Sequence, residues 1–222
     1  MNKKERFCAV LQWFEKNMPV AETELNYSNP FQLLVAVILS AQCTDKRVNI
    51  VTPHLFEKYP DSFAMASATP EEIFSVIRSI SYPNSKSKHL FLAAKMVSEV
   101  YGGEIPDSVD ELQKIPGVGR KTANVIASVI YDMPVIAVDT HVFRISRRLG
   151  LSRAKDVLGV ERDLTAFIPE NLRAKSHHWL ILHGRYICVA RTPKCEQCGL
   201  RNFCKFYSDS SKIDRNKDRN KE

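Results

Sequence analysis

Apolar positions recur at helical spacing almost from the first residue of this chain. Phe7, Val10, Leu11 and Phe14 fall on one face of a helix predicted over residues 2–17. Asn29 and Pro30 open a second segment, Phe31 to about Cys43, apolar nearly throughout and without an acid, as a core helix requires. It ends in Ser40-Ala41-Gln42-Cys43-Thr44-Asp45, a polar set that starts a loop and offers a new cap at Thr44 or Asp45. The next helix reaches about Tyr59, with Pro53 placed to kink it. Thr69-Pro70-Glu71-Glu72 starts another, with proline at the first helical position. Ser81 to Lys88 reads as a loop into a long helix that ends near Gly102 and Gly103. Further helices are predicted over about 157–167 and 175–190. The last holds His177, His178 and His183, which lack an acidic or cysteine partner at ligand spacing and read as packing or hydrogen-bonding residues.

The stretch from Lys114 to Asp139 organises the rest. Gly117 and Gly119 flank one valine, so the backbone is expected to take φ > 0 twice in three residues. Such a turn aims successive N–H groups outward and makes a concavity for anions, phosphate above all. The helix after it carries Ala123, Val125, Ile126, Ala127, Val129 and Ile130 and should be buried. Lys121 sits in its first turn beside Arg120. A cation is disfavoured at that end of a helix dipole, which makes Lys121 a candidate functional residue. A free amine is what a nucleophilic lysine needs. Asp139 is the N-cap of a helix that Gly150 ends. Each piece also has a bland reading: a common turn, a solvated charge, a simple cap. Periodicity does not say whether Lys121 and Asp139 face each other.

Composition narrows the class. The 222 residues are 44% hydrophobic and 26% charged, ordinary for one or two globular domains. A net charge of +7 suggests a polyanionic partner, nucleic acid first. No apolar run approaches the roughly 18 residues of a membrane span. The polar start Met1–Arg6 runs straight into a helical pattern, with no signal or transit peptide, so a cytosolic protein is expected. Four of the six cysteines, Cys188, Cys195, Cys198 and Cys204, crowd near the C-terminus, while Cys8 and Cys43 read as ordinary semi-buried thiols. Clustered cysteines in a cytosolic chain point to metal. By spacing alone zinc and an iron–sulfur cluster fit equally well, although zinc sites often use two Cys-x2-Cys pairs and only one is present.

Leu112-Gln113-Lys114-Ile115-Pro116-Gly117-Val118-Gly119-Arg120-Lys121-Thr122-Ala123, followed by Val138-Asp139-Thr140-His141-Val142-Phe143-Arg144, resembles the helix-hairpin-helix and Gly/Pro…Asp signature of DNA glycosylases of the endonuclease III family. The x6-x2-x5 spacing of the four cysteines is similar to the [4Fe-4S] loop of the same family, and the resemblance spans roughly residues 1–207. It implies a base-excision-repair glycosylase with AP lyase activity, acting on double-stranded DNA with damaged bases or abasic sites, and oxidised pyrimidines as its lesions. Lys121 is then the nucleophile, Asp139 its partner, and the cysteine quartet the ligand set. Gly117, Gly119 and Arg120 form the DNA-gripping hairpin. Gln42 fills the space left by an extruded nucleotide, and His141 reaches into the DNA opposite it. Tyr82 is the candidate wedge, although Ser81 stands where the family usually has glycine and Pro83 follows. Arg144 and Arg148 share a face that could meet phosphates, and Arg191 and Lys194 lie between the first two cysteines of the loop.

The expected fold is all-α in two helical lobes. Residues 22–135 form a helical bundle that ends in the helix-hairpin-helix. Residues 1–21 join 136–207 in an iron–sulfur domain, and 208–222 form a disordered, charged tail. A monomer in the cytoplasm of a bacterium, associated with its nucleoid, is expected. Two alternatives remain: an adenine-mismatch glycosylase of the same superfamily, which uses a glutamate in the helix matching 31–43, and a non-catalytic helix-hairpin-helix DNA-binding protein. The first lacks its acid here, and intact Lys121 and Asp139 argue against the second.

Overall fold

The computed structural model describes residues 1–209, and they are helical throughout with no strand. The helices are α1 (Lys3–Asn17), α2 (Pro30–Ser40), α3 (Asp45–Lys58), α4 (Ser62–Ala66), α5 (Pro70–Ile77), α6 (Pro83–Glu99), α7 (Val109–Leu112), α8 (Arg120–Tyr131), α9 (Thr140–Leu149), α10 (Val157–Phe167) and α11 (Glu170–Tyr186). Two short 3-10 turns, Cys195–Gln197 and Arg201–Phe203, follow. Of the predicted tail, Ser208 and Asp209 close a last helical turn and the remainder lies outside the described residues.

Local chemistry explains most of the helix starts. Asn2 and Thr69 form capping boxes with Glu5 and Glu72. Asn29, Thr44, Asp61, Ser108, Asp139 and Asp156 each accept a backbone N–H from the first turn of their helix. Pro53 is accommodated within α3. The bounds of α2 and α11 differ from the sequence expectation. α2 stops at Ser40, and α11 starts at Glu170 and stops at Tyr186, where the N–H groups of Ile187 and Cys188 both donate to the His183 carbonyl and end the regular ladder.

The chain divides into two compact units, Thr23–Met133 and Met1–Glu22 with the chain from Pro134 onward. In the first, α2 is the core: Leu33, Leu34, Ala36 and Leu39 are wholly buried, and α3, α6 and α8 pack against it. Ala123 to Ser128 of α8 are buried, the polar Asn124 and Ser128 among them, whereas Val129 and Ile130, expected inside, are half-buried. In the second unit, Phe7, Val10, Leu11 and Phe14 of α1 join Val142, Ile145 and Leu149 of α9 and Trp179 and Leu180 of α11 in one core. Trp179 is fully buried, stacks on Phe14 at 5.5 Å and donates its Nε1–H to the Met18 carbonyl at 2.7 Å. Leu200, between the last two cysteines, is buried in the same core and anchors the cysteine loop to it. Cys43 is half-buried, but Cys8 is exposed, because it points away from the apolar stripe of α1.

Candidate functional site

The hairpin before α8 differs from its expected form in one residue. Gly117 has φ +85°, but Gly119 has φ −90° and ψ 176°, an extended conformation open to any residue. A Cβ on Gly117 would come within 3.0 Å of the His89 Cβ, whereas one on Gly119 would meet nothing within 4 Å. The first glycine is therefore required by the fold. The second caps α8 as its N-cap, and its open side faces no other part of the described chain closely. No side chain caps α8, so its N-terminus presents backbone N–H groups and the positive end of its dipole. Lys121 is exposed in this first turn, next to exposed Arg120.

In the other unit, Asp139 opens α9. Its Oδ1 accepts the N–H groups of His141 and Val142, both at 2.8 Å, and its Oδ2 lies 3.2 Å from His141 Nδ1. One oxygen is thus spent as a cap and the other orients the imidazole. The carboxylate is 13% exposed and the imidazole 32%.

Gln42 and Tyr82 lie in the Thr23–Met133 unit, and both are exposed. Both have left-handed backbones, φ 53° and φ 56°, a conformation side chains of their size seldom take. Tyr82 is the N-cap residue of α6 without a capping side chain, and Pro83 behind it is the first helical residue. The stretch read as a loop up to Lys88 is therefore helical from Pro83, and this places Lys86 inside the protein. Nothing in the sequence pattern singled it out, since it sits in a run of lysines and serines.

Arg144 and Arg148 turn away from the role their spacing suggested. Arg144 donates to the Gly184 carbonyl at 2.8 Å and the Cys188 carbonyl at 3.2 Å. Arg148 donates to the Val189 and Ala190 carbonyls at 2.8 and 2.6 Å and approaches Cys188 Sγ at 3.4 Å. A guanidinium satisfies several carbonyls at once, and the chain leaving α11 offers a row of them. These arginines tie the start of the cysteine loop to α9. Arg191 and Lys194 on that loop are exposed.

The four cysteines Cys188, Cys195, Cys198 and Cys204 line one small cavity, walled also by Ile145, Leu149, His183 and Pro193. Among the described residues no three His, Cys, Asp or Glu side chains converge closely enough to hold a single metal ion. The four thiols line the same pocket, a donor set that a [4Fe-4S] cluster takes. Burial first, and then the neighbouring cysteines, push the Cys198 and Cys204 thiols up, so a cationic guest is needed to hold them as thiolates. His183 is also buried, its pKa lowered to about 4 by that burial, and its Nε2 lies 3.5 Å from Cys198 Sγ. Trp13 covers the loop so closely that a Cβ on Gly199 would stand 2.4 Å from its ring.

Known proteins match both regions. Residues 35–170 match the HhH-GPD superfamily base excision DNA repair protein family, and residues 188–204 match the iron–sulfur binding domain of endonuclease III. The chain is 48% identical to endonuclease III of Bacillus subtilis over 204 residues, covering 91% of this chain and 92% of that one. It is 41% identical to endonuclease III of Escherichia coli K12, covering 93% of this chain and 97% of that one. A solved structure of a trapped endonuclease III–DNA covalent intermediate superposes with a TM-score of 0.89 at 44% identity, over 95% of this chain and all of that one. Helical fold, hairpin and cysteine cavity therefore agree with these matches, and the chain belongs to the endonuclease III family, DNA glycosylases with AP lyase activity that carry a [4Fe-4S] cluster.

Proposed function

We propose that Lys121 is the nucleophile of a base-excision reaction on double-stranded DNA, with oxidised pyrimidines as the principal lesions. The observation that carries this is the placement of an exposed lysine in the first turn of an uncapped helix, directly after a glycine hairpin. The hairpin N–H groups, with Arg120, bind the phosphate backbone. Arg191 and Lys194 add exposed positive charge from the cysteine loop. When bound by Cys188, Cys195, Cys198 and Cys204, the cluster supplies a structural staple that shapes this loop. Arg144 and Arg148, by their hydrogen bonds, position the loop instead of meeting phosphate themselves.

A base stacked in a duplex is out of reach, so the nucleotide is turned out, most readily where damage has weakened its stacking. Gln42, Tyr82 and His141 occupy the space it leaves. The Lys121 amine attacks C1′, forming a C–N bond as the glycosidic bond breaks and the base departs with its electron pair and a proton. Asp139 assists by accepting a proton or by stabilising the positive charge that develops on the sugar. Ring opening gives a Schiff base between Lys121 and C1′. Loss of a C2′ proton and cleavage of the C3′–O bond then cut the strand 3′ to the abasic site. An adenine-mismatch activity is disfavoured, since α2 offers no acid. The protein acts as a monomer on the bacterial nucleoid in the cytoplasm. Among the described residues no helix is long and apolar enough to cross a membrane.

Borohydride added during turnover should trap a covalent protein–DNA adduct that Lys121→Ala abolishes. An adduct of equal yield in that variant would remove Lys121 from the role.

A further inference from the structure

The first turn of α6 contains a buried ammonium. Lys86 is 6% exposed, and its Nζ donates to the Leu39 carbonyl at 2.8 Å and the Ala41 carbonyl at 2.6 Å. These carbonyls belong to the C-terminal end of α2, where the last turn has no intrahelical donors and the dipole favours a cation. α2 has no basic residue of its own in that turn, so the charge arrives from another helix. Burial pushes this lysine below its ordinary value, with Cys43 opposing that shift, so its place in the interior depends on the two carbonyls.

The residues on either side of this contact are the unusual ones. The chain leaves α2 at Ala41 and enters the left-handed region at Gln42 (φ 53°). On the α6 side, the Lys86 N–H donates to the carbonyl of Tyr82, which is itself left-handed (φ 56°) and 66% exposed. Among the described residues only one other non-glycine, Asp132, has positive φ, and it is the left-handed C-cap of α8, a position where that conformation is common. Gln42 takes it as the third residue of the turn just past α2 that the Cys43 N–H closes on the Ser40 carbonyl, whereas Tyr82, at the start of α6 without a capping side chain, has no such local reason. Conformations of this kind persist only where the surroundings hold them. Lys86 bridges the two segments: its ammonium holds the carbonyl of Ala41, the residue before Gln42, and its backbone N–H holds that of Tyr82.

We propose that Lys86 is a positioning residue that sets Gln42 and Tyr82 as one rigid pair for entry into the duplex. It rests on the reading above in which these two side chains fill the space of the extruded nucleotide. Its ammonium is turned into the protein and acts through the Gln42 loop, not on the substrate. The chemistry is untouched by it, and only steps that need the opposite strand depend on it.

The test uses the full-length, cluster-loaded protein and the variants Lys86→Met, Gln42→Ala and the double variant. Single-turnover excision of an oxidised pyrimidine from a duplex is compared with β-elimination on a single-stranded abasic oligonucleotide, which has no opposite strand to probe. Lys86→Met should slow duplex excision by about tenfold or more, a loss of the size that small misplacements produce, and leave single-strand elimination intact. The double variant should be no slower on duplex than the slower single variant, because both remove the same device. Equal loss of both activities in Lys86→Met would reduce Lys86 to a scaffold residue and overturn the proposal, as would a fully additive double variant. If Gln42→Ala leaves duplex excision unchanged, the gap-filling reading itself fails. If Gln42→Ala slows it and Lys86→Met does not, the positioning role alone fails.

Discussion

Replacing each hairpin glycine by alanine should separate folding from DNA binding within three residues of chain. At Gly117 the backbone has φ +85°, and the added Cβ would lie 3.0 Å from the His89 Cβ and 3.5 Å from Ile38 Cγ2. The left-handed conformation alone costs an L-residue about 1–2 kcal/mol. The contact with His89 forces a shift of a few tenths of an ångström in a packed region and brings the expected loss to about 2–3 kcal/mol. For a chain of this length that lowers the melting temperature by roughly 5–10 °C. At Gly119 neither term applies, since φ is −90° and nothing lies within 4 Å. There alanine is a slightly poorer N-cap than glycine, but it loses less chain entropy on folding, and the two effects leave a change within about 0.5 kcal/mol. The Gly119→Ala variant should therefore melt like the parent, yet bind duplex more weakly, because under the proposed hairpin contact its methyl stands in the path of a phosphate to the helix N-terminus. Thermal melting by circular dichroism, paired with bandshifts on duplex carrying a non-cleavable abasic analogue, reads both quantities. Two results would refute the argument: a Gly119→Ala melting point as low as that of Gly117→Ala, or unchanged duplex affinity in a stably folded Gly119→Ala.

Two further outcomes follow from the second unit. Asp163 accepts hydrogen bonds from Lys3 at 2.7 Å and from Ser152, and although burial acts to raise its pKa, these bonds hold it below the ordinary carboxylate value of 3.8. The stability it contributes is present above that value and lost as pH falls through its lower, folded one, so the melting-point gap between the parent and Asp163→Asn should be widest near neutrality and close in acid; a gap that widens in acid would reverse the assignment. Arg148→Met removes the bonds to Val189 and Ala190 and the contact to Cys188, and visible absorbance of the bound cluster should then bleach faster in air or chelator, whereas an unchanged bleaching rate would show that the loop holds without it.

Most of the longer helices were legible in the amino-acid sequence, whereas the short α4 and α7 and the helical start of α6 at Pro83 were not. Helix periodicity and side-chain caps act within one turn, so α1 and α9 begin where Asn2 and Asp139 require. Cysteine spacing is likewise a local signal, and it marked the metal loop without any knowledge of the fold. The sequence did not say which way long side chains turn, because their acceptors come from distant segments. Arg144 and Arg148 share a helix face with the right spacing for phosphates, but carbonyls some forty residues away, at Gly184 and Val189, claim them. Lys86 lies within the stretch read as a loop, and only the end of α2 beside it gives its ammonium a partner. Gly117 and Gly119 look alike in sequence, and only packing against His89 shows that one is needed by the fold and the other is left open. Local order is written in neighbouring residues, whereas the direction and burial of a charged side chain depend on what a remote part of the chain brings to meet it.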